Sequence, residues 1–138
     1  AALAVAAGVV AVITTADGTK ATVYKAPECV CCGSYVGYLR GHGFDVRVKE
    51  MEDLTPVKRS FGIPPDLESC HTVAVGGYAV EGHVPIEAID RLLSEKPGIR
   101  GIALPGMPEG APGMPGPKTE TFVIYTISDT NPTVFMVQ

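Results

Sequence analysis

The stretch Cys29-Val30-Cys31-Cys32 places three cysteines within four residues, and the only other cysteine of the chain is Cys70. Just before it, residues 21–25 are rich in β-branched and aromatic side chains, which predicts a short strand. Residues 33–40, just after it, predict a helix. The thiols are therefore expected at a strand-to-helix junction, where unpaired backbone N–H groups and the helix dipole stabilise thiolates and lower their pKa values.

Thiols with low pKa values suit two kinds of chemistry. Cys29 and Cys32 have the C-x-x-C spacing that disulfide exchange uses, and thiolate sulfur is also the preferred ligand of soft metals such as Cu(I). The side chains of the adjacent residues Cys31 and Cys32 diverge, which disfavours a single tetrahedral ion bound by both. Several Cu(I) ions that share bridging thiolates would use all four cysteines. The residues therefore favour a polynuclear copper cluster, and a thiol-disulfide oxidoreductase and a zinc-stabilised interaction module are the alternatives.

Length and composition narrow the class of protein. A chain of 138 residues and 14.4 kDa indicates one domain, which we place at residues 17–138. The net charge is -4 at pH 7 and no run of Lys or Arg forms a basic stripe, which argues against a nucleic-acid partner. Four cysteines, three of them crowded together, make a poor disulfide scaffold.

The N-terminal segment has a composition of its own. Its first thirteen residues carry no charge and are rich in Ala and Val, and Thr14 and Ala16 are small residues at the positions that precede a secretory cleavage site. We expect residues 1–16 to be an export signal remnant or an N-terminal membrane anchor, although about 20 apolar residues are needed to span a bilayer. Either implies a periplasmic or otherwise extracytoplasmic protein. The alternative is a strand at residues 9–13 that forms a hairpin with the strand at 21–25.

Hydrophobic periodicity predicts the elements that follow the cysteines. Tyr35, Val36 and Leu39 share one face of the first helix. Residues 44–49 alternate apolar and polar side chains, as a half-buried strand does. Asp53 is then predicted to cap a short second helix.

The next elements complete a recognisable order. Residues 72–75 and 78–82 predict antiparallel strands joined by the turn Gly76-Gly77, and Pro85 suits the first turn of a third helix. The resulting order, β-α-β-α-β-β-α, is that of an α/β, thioredoxin-like fold with a C-x-x-C motif at its first helix. A thioredoxin has a cis-proline before the third strand, whereas this chain has Ser69-Cys70-His71-Thr72 there. The fourth cysteine can therefore face the other three.

The C-terminal part combines a loop with a hairpin. Residues 104–118 are dense in Pro and Gly and predict an irregular loop that contains Met107 and Met114. A thioether is both an apolar gap-filler and a soft copper ligand, and we favour packing of these two side chains over a role at the metal. Residues 121–127 and 133–137 predict a final β-hairpin that extends the sheet.

The three histidines are assigned different roles. His71 adjoins Cys70, and we expect it to be either a metal ligand or a hydrogen-bonding partner of one. For His42 and His83 a purely structural role explains the sequence equally well and is favoured.

Several short motifs together resemble the CopG copper-resistance family, in register from residue 22 to about residue 114. They are Tyr24-Lys25 before the cysteines, Ile63-Pro64-Pro65, Ser69-Cys70-His71-Thr72, Val75-Gly76-Gly77-Tyr78, Glu81-Gly82-His83-Val84-Pro85, Pro105-Gly106-Met107-Pro108 and Pro112-Gly113-Met114. Val30 replaces the Gly that commonly separates the first two cysteines of the family.

The resemblance implies a function as well as a fold. Members of the family are exported, thioredoxin-like, metal-binding proteins that act in copper resistance. It implies Cu(I) binding, with several ions held by Cys29, Cys31, Cys32 and Cys70, and a role as a copper oxidoreductase that interconverts Cu(I) and Cu(II). It also implies other extracytoplasmic copper-handling proteins as partners.

Overall fold

The computed structural model describes residues 18–138. The predicted export remnant or anchor at residues 1–16, and the alternative strand at 9–13, lie outside the described residues. Within residues 18–138, none of the helices combines the length and the apolar character needed to cross a bilayer.

The described chain forms seven strands and three α-helices. They are β1 (Lys20–Lys25), α1 (Val30–Gly41), β2 (Asp45–Glu50), α2 (Thr55–Ser60), β3 (Thr72–Val75), β4 (Tyr78–Glu81), α3 (Ile86–Glu95), β5 (Gly101–Ala103), β6 (Val123–Ile127) and β7 (Val134–Val137). From β1 to α3 the order of elements is the one that the sequence predicts. The protein is therefore a mixed α/β protein.

All seven strands form one sheet, in the order β2-β1-β3-β4-β5-β6-β7. Strand β1 runs parallel to β2 and antiparallel to β3, so that Tyr24 near the end of β1 lies opposite Thr72 at the start of β3. The end of one strand and the start of the other therefore meet at the same edge of the sheet. The segments that carry the C-x-C-C motif and Cys70 leave the sheet side by side at this edge.

The core lies on both faces of the sheet. The larger cluster packs Val23 and Val80 of the sheet against residues of α1 and α3 such as Leu39 and Ile89. Full burial of each such side chain contributes about 1.5–3 kcal/mol relative to exposure. The smaller cluster, which includes Ala79, covers the opposite face because successive side chains of a strand alternate.

Helix α1 begins earlier than the sequence indicates, and this matters for the cysteines. The prediction placed its start at residue 33, whereas it starts at Val30 with Cys29 as the N-cap residue. Cys31 and Cys32 therefore lie within the first helical turn. In front of α2, the side chain of Asp53 accepts a hydrogen bond from the Thr55 N–H at 2.9 Å, although the N-cap residue is Leu54 and not Asp53 as predicted.

The final hairpin is joined to the sheet by a strand that sequence reasoning missed. Strands β6 and β7 form the predicted hairpin, and β5 lies between β4 and β6, parallel to the former and antiparallel to the latter. Three residues are too few for a periodic signal. Gly101 fits because a Cβ atom there would lie 1.9 Å from the Ala79 carbonyl oxygen.

Candidate metal centre

One half of the candidate site is the first turn of α1. Cys29 and Cys32 form a disulfide, with their Cα atoms 5.3 Å apart. Cys32 is fully buried, and Val30 between the cysteines is 83% exposed. Cys31 is a free, partly exposed thiol.

The other half is Cys70, in the irregular segment that leads into β3. Its Sγ lies 3.9 Å from Cys31 Sγ, which in turn lies 3.5 Å from Cys29 Sγ. All four predicted cysteines have their sulfur atoms within 4.8 Å of one another. The sheet register explains this meeting, because the end of β1 and the start of β3 share an edge.

Two histidine rings complete the surroundings of Cys70. Its Sγ lies 3.2 Å from His71 Nδ1 and 3.1 Å from His83 Nε2. The other ring nitrogen of His83 lies 2.7 Å from the Pro112 carbonyl oxygen, to which it donates its proton, so that Nε2 presents a lone pair toward the sulfur. These three residues form a second group with metal-ligand geometry.

The sequence favoured a purely structural role for His83, but the structure places its ring beside Cys70 in a group that could hold a metal ion. The sequence signal that could have placed His83 beside Cys70 is the register of the β3–β4 hairpin. Its two-residue turn pairs Val75 with Tyr78 and Thr72 with Glu81, and extending that register by two residues places Cys70 opposite His83.

Burial keeps both imidazoles neutral. The pKa of His71 is lowered to about 3, first by desolvation and then by the nearby His83 and Lys58. Desolvation also lowers the pKa of His83, against the hydrogen bond to the Pro112 carbonyl, which raises it. Among the described residues, buried His71 Nε2 has no hydrogen-bond partner. Neutral imidazole is the form that binds metal ions.

The pKa of the Cys70 thiol is raised, whereas lowered pKa values were predicted for the cysteines at the start of the helix. Burial, followed by the adjacent Cys31, raises its pKa to about 12. Cys70 lies outside the helix, in the segment that leads into β3. A metal ion bound there must displace the thiol proton, since a coordinated thiol is deprotonated.

The two methionines of the loop at residues 104–118 lie in different places. Met114 packs against the larger core cluster and lines a cleft with Val30 and Cys31. Met107 is exposed, so the packing favoured for it from the sequence is wrong, and it lines a separate cleft that contains Tyr125 but none of the cysteines. The loop packs closely on α1, because a Cβ atom on Gly113 would lie 2.8 Å from the Tyr35 backbone nitrogen.

The fold and these donor atoms define a mixed α/β protein with thiols and imidazoles gathered at one edge of its sheet. Two solved structures, forms 1 and 2 of a copper resistance protein named CopG, are each 32% identical to this chain with a TM-score of 0.81. The similarity covers 88% of this chain and 98% of each CopG chain. A family model described as a protein of unknown function, DUF411, matches residues 67–114, and no curated protein sequence matches. The chain belongs to the CopG family, as its sequence motifs predict.

Proposed function

We propose that the reduced protein binds Cu(I) as cargo for copper resistance, with several ions sharing the thiolates of Cys29, Cys31, Cys32 and Cys70. The observation that carries this proposal is the approach of all four sulfur atoms to within 4.8 Å of one another. Thiolates are the ligands that Cu(I) prefers, and sulfurs this close can bridge neighbouring ions. The similarity to CopG supports copper over other soft metals.

A redox role follows from the disulfide. When Cys29 and Cys32 are reduced, their two thiols can give up two electrons and two protons to form the disulfide, and the two electrons reduce two Cu(II) ions to Cu(I). Cys31, Cys70 and the imidazoles remain as donors beside the oxidised pair. The protein is then a copper oxidoreductase that interconverts Cu(II) and Cu(I).

The fold and location that go with this function are part of the proposal. The order β2-β1-β3-β4, with cysteines opening α1, supports a thioredoxin-like description. A disulfide persists in oxidising compartments, which supports a periplasmic or extracytoplasmic location with other copper-handling proteins as partners. An N-terminal membrane anchor would hold the protein at the membrane that borders this compartment.

Anaerobic titration of the reduced protein with Cu(I) tests the binding proposal. Wild type is expected to bind more than one ion per chain, and Cys70→Ser is expected to bind fewer, because it removes the sulfur that joins the two halves. Ser94→Ala, an exposed substitution on α3, is the control. Absence of tight binding, or equal stoichiometry in wild type and Cys70→Ser, would contradict the proposal.

A second function is favoured by the same disulfide. A thiol-disulfide oxidoreductase would attack substrates with Cys29 and resolve the mixed disulfide with Cys32. The test is whether the protein reduces a disulfide in a substrate protein. If this activity persists in the double variant Cys31→Ser and Cys70→Ser but is lost in Cys29→Ser, it would support this function over copper binding. Loss of activity in the double variant would count against it.

A further inference from the structure

A buried ion pair lies next to the metal centre. Lys58 of α2 and Glu81 of β4 are 6% and 0% exposed, and Lys58 Nζ donates to Glu81 Oε1. Nζ also lies 3.2 Å from the Thr72 hydroxyl oxygen. Removing two charges from water costs free energy that their attraction does not always recover, so that such a pair is weak evidence for stability alone.

The other hydrogen bonds of Glu81 suggest what the pair does. Oε1 accepts the Ser69 N–H at 2.9 Å, and Oε2 accepts the Thr72 hydroxyl at 2.7 Å. Ser69 and Thr72 flank Cys70 and His71 in the sequence. One carboxylate therefore holds both ends of the segment that supplies these two donors.

This segment has few backbone hydrogen bonds of its own, although His71 is fully buried and packs against the rings of Tyr35 and His83. Strand β3 begins only at Thr72, so the preceding residues are not part of the strand ladder. The backbone hydrogen bond from Gly82 N to His71 O, at 3.1 Å, continues the pairing by one residue. The hydrogen bonds that Ser69 and Thr72 make to Glu81 therefore add to the few backbone bonds that fix this segment.

Gly82 permits the close approach that these bonds require. It has φ +80°, and a Cβ atom there would lie 2.6 Å from the Leu104 carbonyl oxygen and 2.8 Å from Ser69 Cβ. The main chain before β3 thus lies directly on the end of β4. The carboxylate of Glu81 and the absence of a side chain at Gly82 therefore both allow this segment to lie against β4.

We propose that Glu81, oriented by Lys58, is a positioning residue that holds Cys70 and His71 within reach of Cys31 and His83. This inference rests on the proposed copper-binding function. Lys58 fixes the carboxylate, the carboxylate fixes Ser69 and Thr72, and these place the sulfur and the imidazole between them. Loss of groups that orient metal ligands commonly lowers metal affinity by about 10- to 100-fold.

The test compares Thr72→Val with Thr72→Ser. Valine removes the hydroxyl that Glu81 accepts, whereas serine keeps it. Cu(I) affinity, measured by competition with a chromogenic chelator, is expected to fall about 10- to 100-fold in Thr72→Val and to stay near wild type in Thr72→Ser. The ultraviolet absorption of the Cu(I)-thiolate cluster is expected to change in Thr72→Val only. Circular dichroism of each metal-free variant checks that it is folded, so that weaker binding reports the site.

Glu81→Gln removes the charge itself, and Glu95→Gln is its matched control, because Glu95 pairs with Arg91 on the exposed face of α3. Glu81→Gln is expected to weaken Cu(I) binding, and Glu95→Gln is expected to leave it unchanged. If Glu81→Gln does not fold, the comparison of Thr72→Val with Thr72→Ser decides whether Glu81 has the positioning role. Wild-type affinity and spectrum in Thr72→Val, or equal weakening in valine and serine variants, would overturn the positioning role. Absence of Cu(I) binding in wild type would instead overturn the proposed function.

Discussion

The two halves of the metal centre are built differently. The α1 half places three cysteines within one turn, next to the exposed side chain of Val30. The half formed by Cys70, His71 and His83 joins the ends of two strands, and buried charges hold it. The first half contains the disulfide and would carry the proposed two-electron chemistry, whereas the second supplies neutral imidazoles and a high-pKa thiol. The contrast indicates that electron transfer and metal retention can be separated by mutation.

The largest expected effect separates the redox pair from the neighbouring thiol. Cys29→Ser cannot form the disulfide, so the reduced variant is expected to lose the rapid reduction of about two Cu(II) ions per chain that the proposal predicts for the wild type. Cys31→Ser, on the same helical turn, keeps the pair and is expected to retain this reduction while binding less Cu(I). Stopped-flow detection of Cu(I) with a chelator measures both. Equal rates in the two variants would contradict the division of roles.

The next effect concerns packing in the two halves. Gly82→Ala is expected to lower the free energy of unfolding by about 3 kcal/mol, because it combines a positive φ with a clash against Leu104. Gly33→Ala, in open space on α1, is expected to raise it by about 0.5–1 kcal/mol. Urea denaturation of the metal-free, oxidised proteins measures both. Similar effects at the two positions would mean that the strand half is not tightly packed.

Acid is expected to destabilise the protein through His71, in the half of the centre formed by Cys70, His71 and His83. An unfolded histidine binds a proton near pH 6.5, whereas folded His71 binds one only at about pH 3. Between these values the unfolded state holds more protons, so the free energy of unfolding falls with decreasing pH, by up to about 1.4 kcal/mol per pH unit. The metal-free His71→Gln variant is expected to show a shallower pH dependence than the wild type. The same pH dependence in wild type and His71→Gln from pH 6.5 to pH 4 would contradict the buried neutral state, because the raised pKa of buried Glu81 affects both proteins alike.

The smallest effect is expected at the loop methionines. Met107→Leu changes an exposed side chain and is expected to alter stability by less than about 0.5 kcal/mol, with Cu(I) stoichiometry unchanged. Met114→Leu conserves volume in a packed position, and its cost is expected to stay below about 1.5 kcal/mol. Thermal unfolding and Cu(I) titration check both variants. Loss of a copper ion in Met107→Leu would assign the thioether to the metal.

The sequence predicted those elements and turns of the fold that depend on a local residue pattern. Alternation and turn chemistry located β2 and the β3–β4 turn, where Gly76 and Gly77 adopt φ of +57° and +81°. The motif also placed Cys29 and Cys32 at the start of a helix, although it left open whether they are thiolates or a disulfide. Choosing between these states requires the oxidation state of the pair, which no residue pattern specifies.

What the sequence did not predict depends on strand pairing. Strand β5 is too short to leave a periodic signal and exists because β4 and β6 pair with it. Lysine side chains are usually exposed, but Lys58 is buried because Glu81 lies across from it in the folded chain. The ligand geometry of His83 likewise follows from hairpin register and not from its neighbours in sequence.

X-ray absorption at the copper edge of the reduced, Cu(I)-loaded protein tests the central claim most directly, because it detects the atoms bound to copper. The account predicts a shell dominated by sulfur, together with copper–copper scattering from ions that share thiolates, and weaker copper–copper scattering in Cys70→Ser. A shell of nitrogen or oxygen without sulfur, or isolated copper ions in the wild type, would contradict it.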